Sequence, residues 1–141
     1  MNFIERAFRE KLTGDDFLQA MASIYSEPEV YGILDRYPTF VGDVIAIIDY
    51  DTAVQMDGLD DVINGNLSGR YSEIVKALER CGAEGEARVL REARALSDAD
   101  ESGYQERYRE FCDRIALNND YDGFWDAVRR YIDENLEKLR Q

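Results

Sequence analysis

Histidine is absent from this 141-residue chain, and with it go the commonest general base near neutral pH and the commonest ligand of transition metals. Cysteine is nearly absent. Cys81 and Cys112 are isolated, form no pair at zinc spacing and lie in stretches of helical character, so two reduced, packed thiols are expected in place of a disulfide or a metal pair. There are two prolines, no low-complexity segment and no internal repeat, which leaves one unit over residues 1–141. No run approaches the roughly 18 apolar residues of a membrane span. Met1-Asn2-Phe3-Ile4-Glu5-Arg6 lacks the unbroken apolar stretch of a signal peptide, so the expectation is a cytoplasmic protein without a membrane partner. Glycine-rich phosphate loops ending in Lys-Ser/Thr and Gly-x-Ser-x-Gly elbows are missing as well. These absences point away from an enzyme, and no cofactor or metal is expected.

Positive charge is scarce in one region above all. Between Leu12 and Gly69 stand eleven acids (Asp15, Asp16, Glu27, Glu29, Asp35, Asp43, Asp49, Asp51, Asp57, Asp60 and Asp61) against one base, Arg36, so ten of the thirteen net negative charges fall there. Such a field attracts basic surfaces and repels nucleic acid and anionic membranes, which excludes direct binding to either. Nine Tyr, six Phe and one Trp, with 45% apolar residues, supply a core that argues against disorder despite the charge.

The spacing predicts an all-α fold, a single compact domain of about seven short helices. Asp15 or Asp16 can open a helix carrying Phe17, Met21, Ile24 and Tyr25, and Ser26-Glu27-Pro28-Glu29 reads as a capping box with proline in the first turn. Thr39 can cap a central helix through about Met56, with Phe40, Val41, Val44, Ile47, Ile48 and Val54 as its apolar face. A helical turn over Leu59–Ile63 leads into Asn64-Gly65-Asn66-Leu67-Ser68-Gly69, a loop whose residues favour left-handed backbone. Tyr71, Ile74, Val75 and Leu78 mark the next helix, stopped by Gly82, and a tight hairpin leads to Ala83–Leu96. Ser97-Asp98-Ala99-Asp100 reads as the cap of a helix bearing Tyr104, Tyr108, Phe111 and Ile115. The last helix carries Phe124, Trp125, Val128, Ile132, Leu136 and Leu139.

Few constellations carry chemistry. Asn118-Asn119-Asp120-Tyr121-Asp122-Gly123 fits the first half of an EF-hand loop, but position twelve is Arg129, where calcium needs a bidentate carboxylate, so a turn with a cap by Asp120 or Asp122 is the expectation. Asp51 falls in the middle of the apolar face of Val44, Ile48 and Val54, whereas Asp43 and Asp49 project away from it. Asp51 is thus a buried polar site, either a tie to a neighbouring helix, arginine or tyrosine, or an acid facing a ligand in a cleft. Tyr104 and Tyr108, at i and i+4, are core or groove wall, since a nucleic-acid stacking platform needs a basic groove beside it.

Residues 49–96 resemble a family of small helical bacterial domains of unknown function that includes an acidic DNA mimic. Its signature joins an acid-rich helix ending Glu-Val-Asn-Asn-Gly-Gly-Phe-x-Gln-Tyr/Phe-Phe to Ala-Leu-x-x-Ile-Gly-Ala. The second block stands here as Ala77-Leu78-Glu79-Arg80-Cys81-Gly82-Ala83. The first stands as Ala53-Val54-Gln55-Met56-Asp57-Gly58-Leu59-Asp60-Asp61-Val62-Ile63, without the Asn-Asn pair and the Gln. Tyr131-Ile132-Asp133-Glu134-Asn135 is similar to the family's closing Tyr-Ile motif. The resemblance implies an all-helical homodimer that binds a basic protein, such as a DNA-binding regulator, through its acidic surface. Asp43, Asp49, Asp57, Asp60 and Asp61 are the candidate partner-binding residues. The competing readings are an immunity or antitoxin-type inhibitor of a basic toxin such as a nuclease, a small-ligand receptor using Asp51 and the Asn64–Gly69 loop, and a scaffold whose acidity serves solubility.

Overall fold

The computed structural model of the chain describes residues 1–99 and 101–140. Its α-helices are α1 (Phe3–Arg9), α2 (Gly14–Met21), α3 (Thr39–Asp57), α4 (Asp60–Ile63), α5 (Tyr71–Arg80), α6 (Glu84–Ala99), α7 (Glu101–Arg114), α8 (Ala116–Asn119) and α9 (Tyr121–Leu139). Three 3-10 segments, Ala22–Tyr25, Pro28–Arg36 and Ser68–Arg70, join them, and no strand occurs among the described residues. Among the described residues, no helix is long and apolar enough to cross a membrane.

Helix α3 is the axis. Phe40, Val41, Val44, Ile45, Ala46, Ile47, Ile48, Tyr50, Ala53 and Val54 are all buried, because α5, α4, α9, α2 and the 3-10 segment over Pro28–Arg36 surround it. A helix that is apolar all round is a core helix, and a single-face wheel misplaces its polar residues. The chain ends close around it: Phe8, Phe17 and Phe40 form an aromatic cluster with neighbouring centroids 5.6 and 5.7 Å apart, fixing α1 and α2 against the start of α3. Asp133 of α9 accepts from the Gly14 backbone N–H at 2.7 Å and so ties α9 to the start of α2.

Several local expectations are corrected. Helix α1 adds to the helices expected from the spacing, and Asn2 and Glu5 form a full capping box at its start. Asp15 and Asp16 lie in the first turn of α2 while Thr13 holds the cap position. Ser26–Glu29 makes no side-chain cap, and a 3-10 helix follows, with Glu27 before the proline. Thr39 is the first helical residue, after Pro38, and contributes no cap. Ser97 and Asp98 continue α6, so they do not open the next helix, and Asp100 lies outside the described residues. Leu139 is exposed. Gly82 takes the expected left-handed conformation, φ +89°, in the α5–α6 turn. In contrast, no residue of Asn64–Gly69 has positive φ; Gly65 is needed because a Cβ there would press on Asp61 at 2.7–2.8 Å. Both cysteines are free, and burial pushes the Cys81 thiol up to about 11.

Candidate functional site

Three of the five candidate partner-binding acids turn inward. Asp43, 4% exposed, accepts from Arg80 Nη1 at 2.7 Å and from the Tyr131 hydroxyl at 2.6 Å. Asp49, 6% exposed, accepts from Arg70 Nη1 at 2.6 Å, from Tyr25 at 2.6 Å and from Tyr31 at 2.8 Å. Burial, then the hydrogen bond to Asp49, pushes the Tyr25 phenol up to about 12 and that of Tyr31 higher still. Asp61 accepts from the Asn66 backbone N–H at 3.0 Å and closes the turn after α4. These carboxylates therefore tie elements together. Asp43 and Asp49 point away from one apolar face of α3 only to meet the elements on its other sides, and a charge there must be paired.

Asp51 departs from expectation in the opposite sense. It is half-buried, accepting from the Tyr121 hydroxyl at 2.9 Å, and lines a depression of about 260 Å³ with Ile48, Trp125 and Arg129. Here α2 and α9 leave a gap over α3, so the middle of the apolar face is not fully covered. The Asn64 end of the loop paired with Asp51 in the ligand-receptor reading lines a different depression. Asn118 and Asn119 end α8, a helix not expected there, and Asp120 alone separates it from α9, which it caps by accepting from the Gly123 N–H at 3.2 Å. Arg129 is engaged with Asp15 and Asp126.

Asp57 and Asp60 remain on the surface, at the corner between α3 and α4, and no ion pair to either occurs among the described residues. Met56, 76% exposed, stands beside them. Gly58 ends α3 with φ +86°, and a Cβ there would collide with the Tyr108 hydroxyl, so the corner is packed closely onto α7.

Beside this corner opens a depression of about 560 Å³ lined by Asp60, Asn64, Ser97, Asp98, Tyr104, Gln105 and Tyr108. Asn64 donates to Asp60 at 2.9 Å and accepts from the Ser97 hydroxyl at 3.0 Å, so the α4 and α6 walls are hydrogen-bonded to each other. Asp98 pairs with Arg94 at 3.3 Å. The Tyr104 and Tyr108 rings meet edge to face, 5.9 Å between centroids. Tyr104 is 2% exposed, and its hydroxyl has no hydrogen-bond partner among the described residues. Burial, and next the neighbouring Asp60 carboxylate, raise its pKa and keep it protonated. Nothing local in the sequence groups Asn64, Ser97, Asp98 and Gln105, because the approach of α4 to α6 and α7 is a tertiary fact. The local signal was the Tyr104/Tyr108 pair, and the structure makes it floor and wall.

The family-like motifs serve the framework. Ala77–Ala83 builds the α5–α6 turn, and Tyr131 and Asp133 supply the α9 bonds to Asp43 and Gly14. No curated protein and no solved structure matches the chain. A family profile described as DMP19-like protein matches residues 35–140, from the second 3-10 segment to the end of α9, and the chain therefore belongs to the DMP19-like protein family.

Proposed function

We propose that this chain is a non-enzymatic binding domain whose acidic surface occupies the basic face of a DNA-binding protein, as a mimic of DNA. The observation that carries this reading is the exposure of Asp57 and Asp60 without a cationic partner among the described residues, while Asp15, Glu27, Asp43 and Asp49 of the same acidic stretch are each met by an arginine from outside it. The fold thus pairs Asp43 and Asp49, which it buries, with arginines, and leaves Asp57 and Asp60 outward, together with Asp16, Glu29 and Asp35 of the same stretch. Thirty acids face seventeen bases, so thirteen carboxylates have no counter-charge within the chain however the bases pair. Duplex DNA carries one charge per about 1.7 Å of axis, and a surplus of thirteen corresponds to roughly 22 Å of duplex. Met56 beside Asp57 adds an apolar contact that bare charge lacks.

The test is affinity capture from lysate of the source organism at low and high salt, comparing wild type with the D57N/D60N double variant. A single basic DNA-binding protein, retained by wild type at low salt and lost from the variant, is the expected result. Equal retention by the variant would place the contact elsewhere, and recovery of a dedicated nuclease would turn the reading to that of an immunity protein.

A further inference from the structure

We propose that the depression between α4, α6 and α7 is a receptor for one guanidinium group, held by the Asp60 carboxylate against the Tyr104 and Tyr108 rings. For the origin of that group the inference rests on the binding reading above; for the pocket itself it stands on separate observations. Among the described residues, two carboxylates and no lysine or arginine line the depression. Its volume of about 560 Å³ lies within the range of small-ligand sites. Tyr104 contributes a buried hydroxyl that faces the Asp60 carboxylate but makes no well-aligned hydrogen bond among the described residues, and buried polar groups without such bonds are rare enough to need a cause. A neutral phenol beside a carboxylate offers an acceptor lone pair to an incoming N–H donor, and a guanidinium brings five such donors in one plane.

The molecule builds the same combination twice with its own arginines. Arg70 lies 5.5 Å over the Tyr31 ring while binding Asp49, and Arg94 lies 5.0 Å over the Tyr71 ring while binding Asp98. In the α4–α6–α7 depression the carboxylate and the rings are present and, among the described residues, no arginine lines it. Guanidinium fits better than ammonium there: it is planar, less strongly hydrated and stacks on aromatic faces, whereas an ammonium gives up more hydration to enter a tyrosine-walled site. Asp98 is already shared with Arg94, so Asp60 is the carboxylate that decides binding, and Asn64 holds it in place from one side.

The experiment is an NMR titration of the full chain with Nα-acetyl-arginine methylamide, with the neutral citrulline analogue as control and agmatine as the free small cation. Saturable shifts at Asn64, Ser97, Tyr104 and Tyr108 are expected with the arginine probe and not with citrulline. D60N should weaken binding at least tenfold. Y104F should weaken it several-fold while raising the Tm of the unliganded protein by a few degrees, because the unpaired hydroxyl is gone; a structural role alone would lower Tm and leave affinity unchanged. Equal affinity for arginine and citrulline probes, no saturable shift, or unchanged affinity in Y104F would overturn the proposal. Agmatine binding much more tightly than the capped probe would identify a free cation as the ligand; equal binding would identify a side chain of a basic protein. Y104F leaves the surface charge intact. Loss of probe binding with capture unchanged would therefore separate the pocket from the acidic-surface reading, and failed capture with probe binding intact would do the reverse.

Discussion

Asp49 shows at the scale of one residue how an acid-rich sequence is made foldable. Its carboxylate is buried in α3 and satisfied by Arg70, Tyr25 and Tyr31, three residues that are distant from it in sequence. Removing Arg70 leaves that charge uncompensated. R70M should cost about 3 kcal/mol, the lower end for a broken buried pair because Arg70 is itself part-exposed. D49N in the same background should recover most of the loss, so chemical denaturation of the four species in a double-mutant cycle should return a coupling of about 1–3 kcal/mol. Equal losses in R70M and in R70M/D49N would show that Arg70 matters through packing alone. Glu86 offers a second test, in pH. It is buried, accepts from the Tyr50 hydroxyl at 2.8 Å and from the Ala116 backbone N–H, and burial raises its pKa. The folded state therefore holds this proton more tightly than the unfolded state. Glu86 favours folding most at acid pH, and that contribution is lost as pH rises from the ordinary carboxylate range through the raised value. E86Q removes this titration while keeping an acceptor for Ala116. Subtracting its stability–pH curve from that of wild type should leave a component that falls with rising pH across that window, and a component of opposite slope would contradict the assignment.

Helix α3 ends against its own dipole. Its last turn contains Asp57 and no base, so a negative charge sits where the helix C-terminus is already negative. D57N should stabilise the protein by about 0.3–1 kcal/mol in urea denaturation at low salt while weakening partner capture. A residue that costs stability and strengthens binding is what a functional surface acid should look like, and destabilisation by D57N would remove that argument. At the next residue G58A should be destabilising, since φ +86° and the Tyr108 hydroxyl both oppose a side chain. At the other end of the chain, N2A should lose about 1 kcal/mol with the α1 capping box. The elements differ in how plainly the sequence announces them. The α5–α6 hairpin was legible because Ile74, Val75 and Leu78 repeat on one face and Gly82 stops the helix, all within local reach. The bounds of α3 are legible too, but its surroundings are not: a helix buried on every side has no single face, so the spacing places Asp51 inside and Asp43 and Asp49 outside, the reverse of what the structure shows. The Tyr104 pocket was half visible, since the tyrosine pair is local and the approach of α4 to α6 is not.

At the scale of the whole molecule, stability is set against surplus charge. Every ion pair among the described residues uses arginine, and most are exposed pairs worth at most about 1 kcal/mol each. They cannot offset a net charge of −13, whose self-repulsion acts across the entire surface. Raising ionic strength from about 0.01 M to about 0.15 M shortens the screening length from about 30 Å to about 8 Å. That removes long-range repulsion while leaving the contacts of Arg70 with Asp49 and Arg80 with Asp43 largely intact, since one partner of each is buried. Tm should therefore rise with salt, by a few degrees in differential scanning calorimetry, and the slope should be smaller in a D16N/D57N/D60N variant. A fall in Tm with salt would mean that the arginine pairs outweigh the surplus carboxylates, and the charge would then belong to the fold instead of to a partner. Binding of a basic partner must move the other way, weakening as the same field is screened. Opposite salt responses of stability and affinity in one protein would assign part of the surplus charge to a partner interface, because an acidity that only aided solubility would give the first response without the second.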